Sequence, residues 1–315
     1  MTLFTSTLEQ MAFLFSLIII GYLLVRCKIL DGSAAGILSK LENWLFVPAL
    51  VMGTFISKFT VDILREASHL ILISFAIILV MIPVSILISR LLAKDLDKRN
   101  VYTYGLVFSN FGFMGNAVVS ALYPDIFFEY LVFSIPLWTM IYMWGVPVLL
   151  MPKEDSAKGI AGRLKNFINP MFICMIIGMI IGLTGFEMPN WTMNLITTCG
   201  NCMSPVAMLL TGMTIAKIDL KRVLTDFSIY AVTGIRLILI PLAAIGIFYL
   251  IPVTDTIFIC AVCSLAMPLG LTTVVIPAAY GKDTTTASGM ALISHFLSCI
   301  SIPLVFLLMD FVLKM

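Results

Sequence analysis

Apolar positions in this chain neither alternate nor recur every third or fourth residue; they run on without a polar face. Windows of about 20 such residues recur near 8–26, 34–57, 67–92, 102–122, 127–151, 168–186, 190–216, 227–250, 256–280 and 285–311. A helix rises about 1.5 Å per residue, so one window crosses the roughly 30 Å hydrocarbon core of a bilayer. The pattern predicts an all-α integral membrane protein with about ten transmembrane helices and short connections. The longest connection, Pro152 to Asn166, is polar and reads as a surface loop with no domain of its own.

Two windows are interrupted at their centres. Ser109-Asn110-Phe111-Gly112-Phe113-Met114-Gly115-Asn116 breaks the fourth, and Met267-Pro268-Leu269-Gly270 breaks the ninth. Backbone groups freed there cost several kcal/mol each unless protein or water satisfies them. Broken helix at membrane depth therefore belongs inside the protein or beside a cavity. The second half of each broken helix begins with amides that have no intrahelical acceptor, at the positive end of the helix dipole. The sequence places those donors around Gly115, Asn116 and Ala117 in one segment and Leu271, Thr272 and Thr273 in the other. If the two segments cross, two positive ends converge into a carboxylate site that needs no lysine. The candidate substrate-binding set is Asn110, Gly112, Gly115, Asn116, Gly270 and Thr272, to which Asn43 of the second window is added. Asn110, Asn116 and Thr272 are expected to supply side-chain donors or helix caps.

A repeat reinforces the pairing of the breaks. Gly21 and Gly178 lie 157 residues apart, as do Pro48 and Pro205, and Tyr123 and Tyr280. Pro83 and Pro241, and Gly112 and Gly270, lie 158 apart. The chain reads as two copies, 1–157 and 158–315, within one membrane domain. Each copy carries five windows, an odd number, so the second must enter the membrane inverted, a pattern of many secondary transporters.

Composition fixes the class. The chain is 61% hydrophobic and 11% charged, with a mean hydropathy of +1.09, against roughly 25% charged residues in soluble domains. The formal charge of +2 gives no reason to expect nucleic acid. No basic residue precedes Arg26, so the first window reads as a membrane helix rather than a cleaved leader. Lys and Arg number 15 on the odd-numbered connections and 3 on the other side, which predicts that both termini lie outside the cytoplasm. The pairs Cys199/Cys202 and Cys260/Cys263 fall inside apolar windows, where i,i+3 spacing places small residues on one helix face. They are read as packing residues, and no metal or cofactor is expected.

Isolated polar residues each carry two readings. Arg236, about ten residues into the eighth window, either holds an anion or drives a conformational change, or else serves structurally, in an ion pair or on broken-helix carbonyls. Glu42 either pairs with Lys40 or snorkels to the surface. His295 either relays protons or packs as a satisfied core residue. Tyr142 and Trp144 either line a pocket or fill a packed interior.

Lys28-Ile29-Leu30, the run from Asn43 to Pro48, Ser109 to Gly115, and Met267-Pro268 through Tyr280-Gly281-Lys282-Asp283 resemble the auxin efflux carrier family and its bacterial malate-permease-like members. The resemblance covers the whole chain. It implies ten spans in two inverted five-helix repeats with crossing broken helices, as in bile acid sodium symporters. It also implies a transport domain moving against a scaffold, and a homodimer. Family site positions fall on Asn110, Pro268 and Tyr142. The connection after the fifth span is about 15 residues, which favours a compact bacterial-type member of the inner membrane. Asn116 stands where plant carriers commonly place a proline, which argues against auxin itself as cargo. The expected function is a secondary transporter, not an enzyme, moving a small malate- or auxin-like carboxylate by alternating access. The competing readings are a cation/proton exchanger, disfavoured because neither break contains Asp or Glu, and an uncoupled anion channel.

Overall fold

Without water, an apolar run satisfies its backbone only as helix or closed barrel. The computed structural model describes residues 3–31, 33–59, 63–150, 170–217, 225–251, 253–279 and 284–314, and there every element is helical apart from one isolated bridge. In chain order the helices are α1 (Leu3–Arg26), α2 (Ala34–Lys58), α3 (Ile63–Leu92), α4 (Leu96–Val107), α5 (Phe111–Leu122), α6 (Pro124–Leu150), α7 (Pro170–Thr184), α8 (Asn190–Ile215), α9 (Phe227–Leu250), α10 (Asp255–Ala266), α11 (Thr272–Ala279) and α12 (Thr285–Leu313). Seven of them, α1, α2, α3, α6, α8, α9 and α12, are long and apolar enough to cross a membrane, while α5, α7 and α10 are apolar but shorter. The connection Pro152 to Asn166 lies outside the described residues, as do Lys221, Arg222, Tyr280, Gly281, Lys282 and Asp283.

The helices are inside-out by the standard of a soluble protein. On α3, Leu72, Val80, Leu87 and Leu91 are exposed while Ser74, Ser85 and Ser89 are buried. Ser89 Oγ sits 2.6 Å from Thr103 Oγ1 of α4. In lipid an apolar surface costs nothing, so polar side chains turn inward and bond between helices.

Two groups of helices emerge from the packing. In one, α1 lies along α8, and α2 lies along α7 and α8. Small residues set the distance: a Cβ on Gly21 would stand 2.1 Å from the carbonyl oxygen of Leu209, and one on Gly212 would stand 1.9 Å from that of Ile18. Only glycine lets two backbones approach this closely. In the other group α3 packs on α4 and α6, and α9 packs on α10 and α12. The groups meet where α1 touches α5 and α12, where α8 touches α5, and where α2 touches α6.

Among the described residues four helices widen locally into π turns: Glu42–Phe46 in α2, Phe111–Gly115 in α5, Ile141–Leu150 in α6 and Ile235–Leu239 in α9. Proline accounts for three. Pro48, Pro147 and Pro241 have no N–H, and their rings crowd the preceding turn, so the ladder slips by one residue. Glu42 opens the first of these turns. It neither pairs with Lys40 nor snorkels: it is fully buried, and among the described residues neither carboxyl oxygen has a hydrogen-bond partner.

Candidate functional site

The two interrupted windows cross. Helix α4 ends at Val107 and α5 begins at Phe111; α10 ends at Ala266 and α11 begins at Thr272. Between those ends the chains run antiparallel and pair through a bridge of Ser109 with Leu269. The Asn110 amide donates to the Pro268 carbonyl at 2.7 Å, and the Gly270 amide donates to the Phe108 carbonyl at 3.3 Å. Pro268, which has no amide to satisfy, contributes only its acceptor here. Gly270 permits the approach, because a Cβ there would lie 3.0 Å from the Ser109 carbonyl oxygen.

Four helix ends thus meet in the protein interior. The C-terminal ends of α4 and α10 bring carbonyls and the negative ends of their dipoles; the N-terminal ends of α5 and α11 bring amides and positive ends. Arg236 of α9 addresses the first pair. Its guanidinium, 1% exposed, donates from Nη1 to Leu106 O at 2.9 Å, from Nε to Met267 O at 3.1 Å and from Nη2 to Ser264 O at 3.4 Å. Of the readings open from sequence, the structure has the arginine on broken-helix carbonyls. Two half-charges of about −0.5 face one of +1, so the negative ends are roughly offset and the positive ends are not.

The donors of the first break lie one turn earlier than the sequence suggested. The carbonyl of Asn110 accepts from both Met114 and Gly115, at 3.1 and 2.9 Å. Helix resumes as soon as the bridge ends, so the leading amides belong to Phe111, Gly112 and Phe113, and Gly115 and Asn116 are already inside α5. In the second break Thr273 N is taken by Gly270 O at 3.2 Å, leaving Leu271 and Thr272 to lead.

The side chains at the crossing are buried, with Asn110 2% and Asn116 3% exposed. Asn110 occupies the N-cap position of α5 but does not cap it. Its Nδ2 lies 2.9 Å from His295 Nε2 of α12, while the Oδ1 atoms of Asn110 and Asn116 have no partner among the described residues. Thr272 bonds the Tyr104 hydroxyl at 2.7 Å rather than capping α11. Ser109 Oγ donates to Ser264 O at 2.7 Å, and Leu269 N donates to Ser294 Oγ at 3.3 Å.

Both glycines of the first break are seats for aromatic residues of α6. A Cβ on Gly112 would stand 2.3 Å from the Trp138 ring, and one on Gly115 would stand 2.2 Å from the Tyr130 hydroxyl. That hydroxyl donates to Phe111 O at 3.0 Å. Tyr142 stacks on Trp138 with ring centroids 6.3 Å apart, and Trp144 packs on Phe108 at 6.2 Å. Trp138 also lines an apolar cleft between the two helix groups, with Val51 and Phe55 of α2, Leu131 of α6 and Phe172 of α7. Asn43 is not part of this assembly: it is exposed and donates to Ser39 O of its own helix at 2.8 Å. Tyr130, Trp138 and Ser294 were not flagged by sequence, where nothing distinguishes them from other residues of apolar windows.

At the α9 entrance, Lys98 of α4 donates to Asp226 at 2.6 Å, and Asp226 caps α9 through Ser228 N at 3.1 Å. Burial would push the Asp226 carboxyl up, but the bonds from Lys98 and Ser228 hold it below the usual carboxylate range.

The profile of the family described as membrane transport protein matches residues 6–306. The chain is also similar to an uncharacterized transporter of Methanothermobacter thermautotrophicus, with 24% identity over 307 residues that cover 96% of this chain and 98% of the relative.

Proposed function

From the chain's membership of the auxin efflux carrier family of membrane transport proteins, transporters rather than enzymes, we propose that it is a secondary carrier of a small organic anion. The cargo is a carboxylate of malate or auxin type. The observation that carries this reading is the antiparallel bridge of Ser109 with Leu269, which brings the positive ends of α5 and α11 together while Arg236 occupies the negative ends of α4 and α10. A carboxylate meets unpaired amides there with no lysine.

The two helix groups support a reading of alternating access. In this reading α3–α6 and α9–α12 carry the crossing as a unit and slide, elevator-fashion, against α1, α2, α7 and α8. The two copies 1–157 and 158–315 are inverted repeats. Supporting this, Gly21 and Gly178 do the same work at matched positions: a Cβ on Gly178 would lie 2.8 Å from Met52 O, as one on Gly21 would clash with Leu209 O. The Lys98–Asp226 contact joins the third and seventh connections, both on the basic side that the reading assigns to the cytoplasm of a bacterial inner membrane. Both termini then face outward, and the carrier works in the bilayer as a homodimer.

The test is a thermal-shift screen of purified protein against mono- and dicarboxylates, followed by uptake in proteoliposomes. Stabilisation by at least one carboxylate and saturable, trans-stimulated uptake are expected. Stabilisation by neutral or cationic solutes only would overturn the anion assignment, and unsaturable flux would make the protein a channel.

A further inference from the structure

His295 lies one hydrogen bond from Asn110, and its other nitrogen settles how it bonds. Nδ1 is 2.7 Å from the Ala291 carbonyl oxygen. A carbonyl only accepts, so Nδ1 carries hydrogen. In the neutral ring Nε2 is then an acceptor, and it takes the Asn110 Nδ2 donor at 2.9 Å. The remaining group of that amide, Oδ1, is buried and has no partner among the described residues. Neutral His295 therefore makes Asn110 present an acceptor beside the leading amides of α5, which is the wrong polarity for a carboxylate.

Protonation reverses this. A proton arriving at Nε2 makes both ring nitrogens donors. The Asn110 amide must then rotate about its last torsion so that Oδ1 accepts from Nε2–H, and its NH2 group turns to where Oδ1 was. The crossing gains two donors and a nearby positive charge, and Oδ1 acquires the partner it lacks. Among the described residues no ion pair reaches His295. On helices packed against α12 the buried charged or titratable groups are Arg236, bonded to carbonyls; Tyr104, bonded to Thr272; Tyr102, bonded to Ser228; and Cys260 and Cys263 of α10; the carboxylates there, Glu9, Asp97 and Asp255, are exposed. Arg236 is itself cationic and opposes a second positive charge. The anion that the proposed function places at the crossing is the counter-charge that makes protonation favourable.

Resting on that function, we infer that His295 is a positioning residue that couples the cargo anion to one proton by setting which face of the Asn110 amide meets it. By linkage, if the proton tightens anion binding, the anion tightens proton binding by the same factor. Affinity then changes with pH over the interval between the ring's titration without the anion and its titration with it.

The experiment uses the intact protein and the carboxylate that stabilises it most in the screen above. No stabilising carboxylate at any pH from 5.5 to 8 would sink the proposed function itself. Given a binder, Kd is measured across pH 6.5–8, where simple carboxylates stay ionised, and calorimetry in two buffers of different ionisation enthalpy counts protons taken up. Wild type is expected to lose affinity as pH rises, up to tenfold per unit, with uptake approaching one proton per anion. His295→Gln keeps an acceptor for Asn110 but cannot titrate, so its affinity is expected to be flat with pH and its proton uptake zero. A flat wild-type profile with no proton uptake would overturn the inference, as would a His295→Gln profile that matches wild type. Proton counting on wild type alone decides the matter if the variant does not fold.

Discussion

Arg236 Nη1 reaches 2.9 Å to the carbonyl oxygen of Leu106, across 130 residues of sequence, from the middle of α9 to the last turn of α4. The same guanidinium bonds Met267 on the opposing break, so one side chain ties both interrupted segments together.

Replacing Arg236 with Gln is expected to lower stability by about 3 to 6 kcal/mol, because hydrogen bonds to a charged donor contribute roughly 1.5 to 3 kcal/mol each and the shorter neutral amide can replace at most one of the three. Binding of a carboxylate should weaken by more than tenfold, since the negative ends of α4 and α10 are no longer offset. Arg236→Lys keeps the charge but cannot reach three acceptors with a planar fork, so it should fall between. Thermal unfolding in detergent and the carboxylate titration check both.

Asn110→Ala is expected to leave the fold intact, because the backbone amide and carbonyl that build the crossing are retained, and to weaken carboxylate binding about tenfold. Wild-type affinity in this variant would remove Asn110 from the site.

Gly115→Ala puts a methyl where the Tyr130 hydroxyl sits. Overpacking of this kind costs about 1 to 3 kcal/mol. Tyr130→Phe removes the obstructing oxygen and should restore part of the loss in the double variant, although it forfeits the bond to Phe111 O. A double variant less stable than the sum of the singles would show that the hydroxyl is not the obstacle.

Asp226 has its carboxyl held below the ordinary carboxylate range in the folded protein, through Lys98 and Ser228. A depressed folded-state value contributes stability above the unfolded value, near pH 4, and loses it as pH falls through the folded value. The pair is part-exposed, so the contribution is at most about 1 kcal/mol. Asp226→Asn keeps the cap to Ser228 but lacks the ionised partner of Lys98, so it is expected to lose up to that amount at pH 7 and to converge with wild type as pH falls below 4, unfolding with less acid sensitivity. Unfolding midpoints from pH 3 to 7 in both proteins measure it.

Membrane character was decided by composition and run length, because twenty apolar residues in hydrocarbon have few options other than helix. The two breaks were also legible, since Gly112, Gly115, Pro268 and Gly270 weaken helix wherever they fall. Their meeting was only a hypothesis until the tertiary structure placed Ser109 against Leu269. The sequence could not say which way Arg236 faces, that Asn110 gives its amide to His295, or that Asn43 points away. Nor could it show that Gly112 and Gly115 are seats for Trp138 and Tyr130, or that Glu42 is buried without a partner. Local pattern fixes where a helix must stop, because that cost is paid residue by residue. Which side chain takes a freed carbonyl depends on helices more than a hundred residues apart meeting at one depth, and only packing determines that.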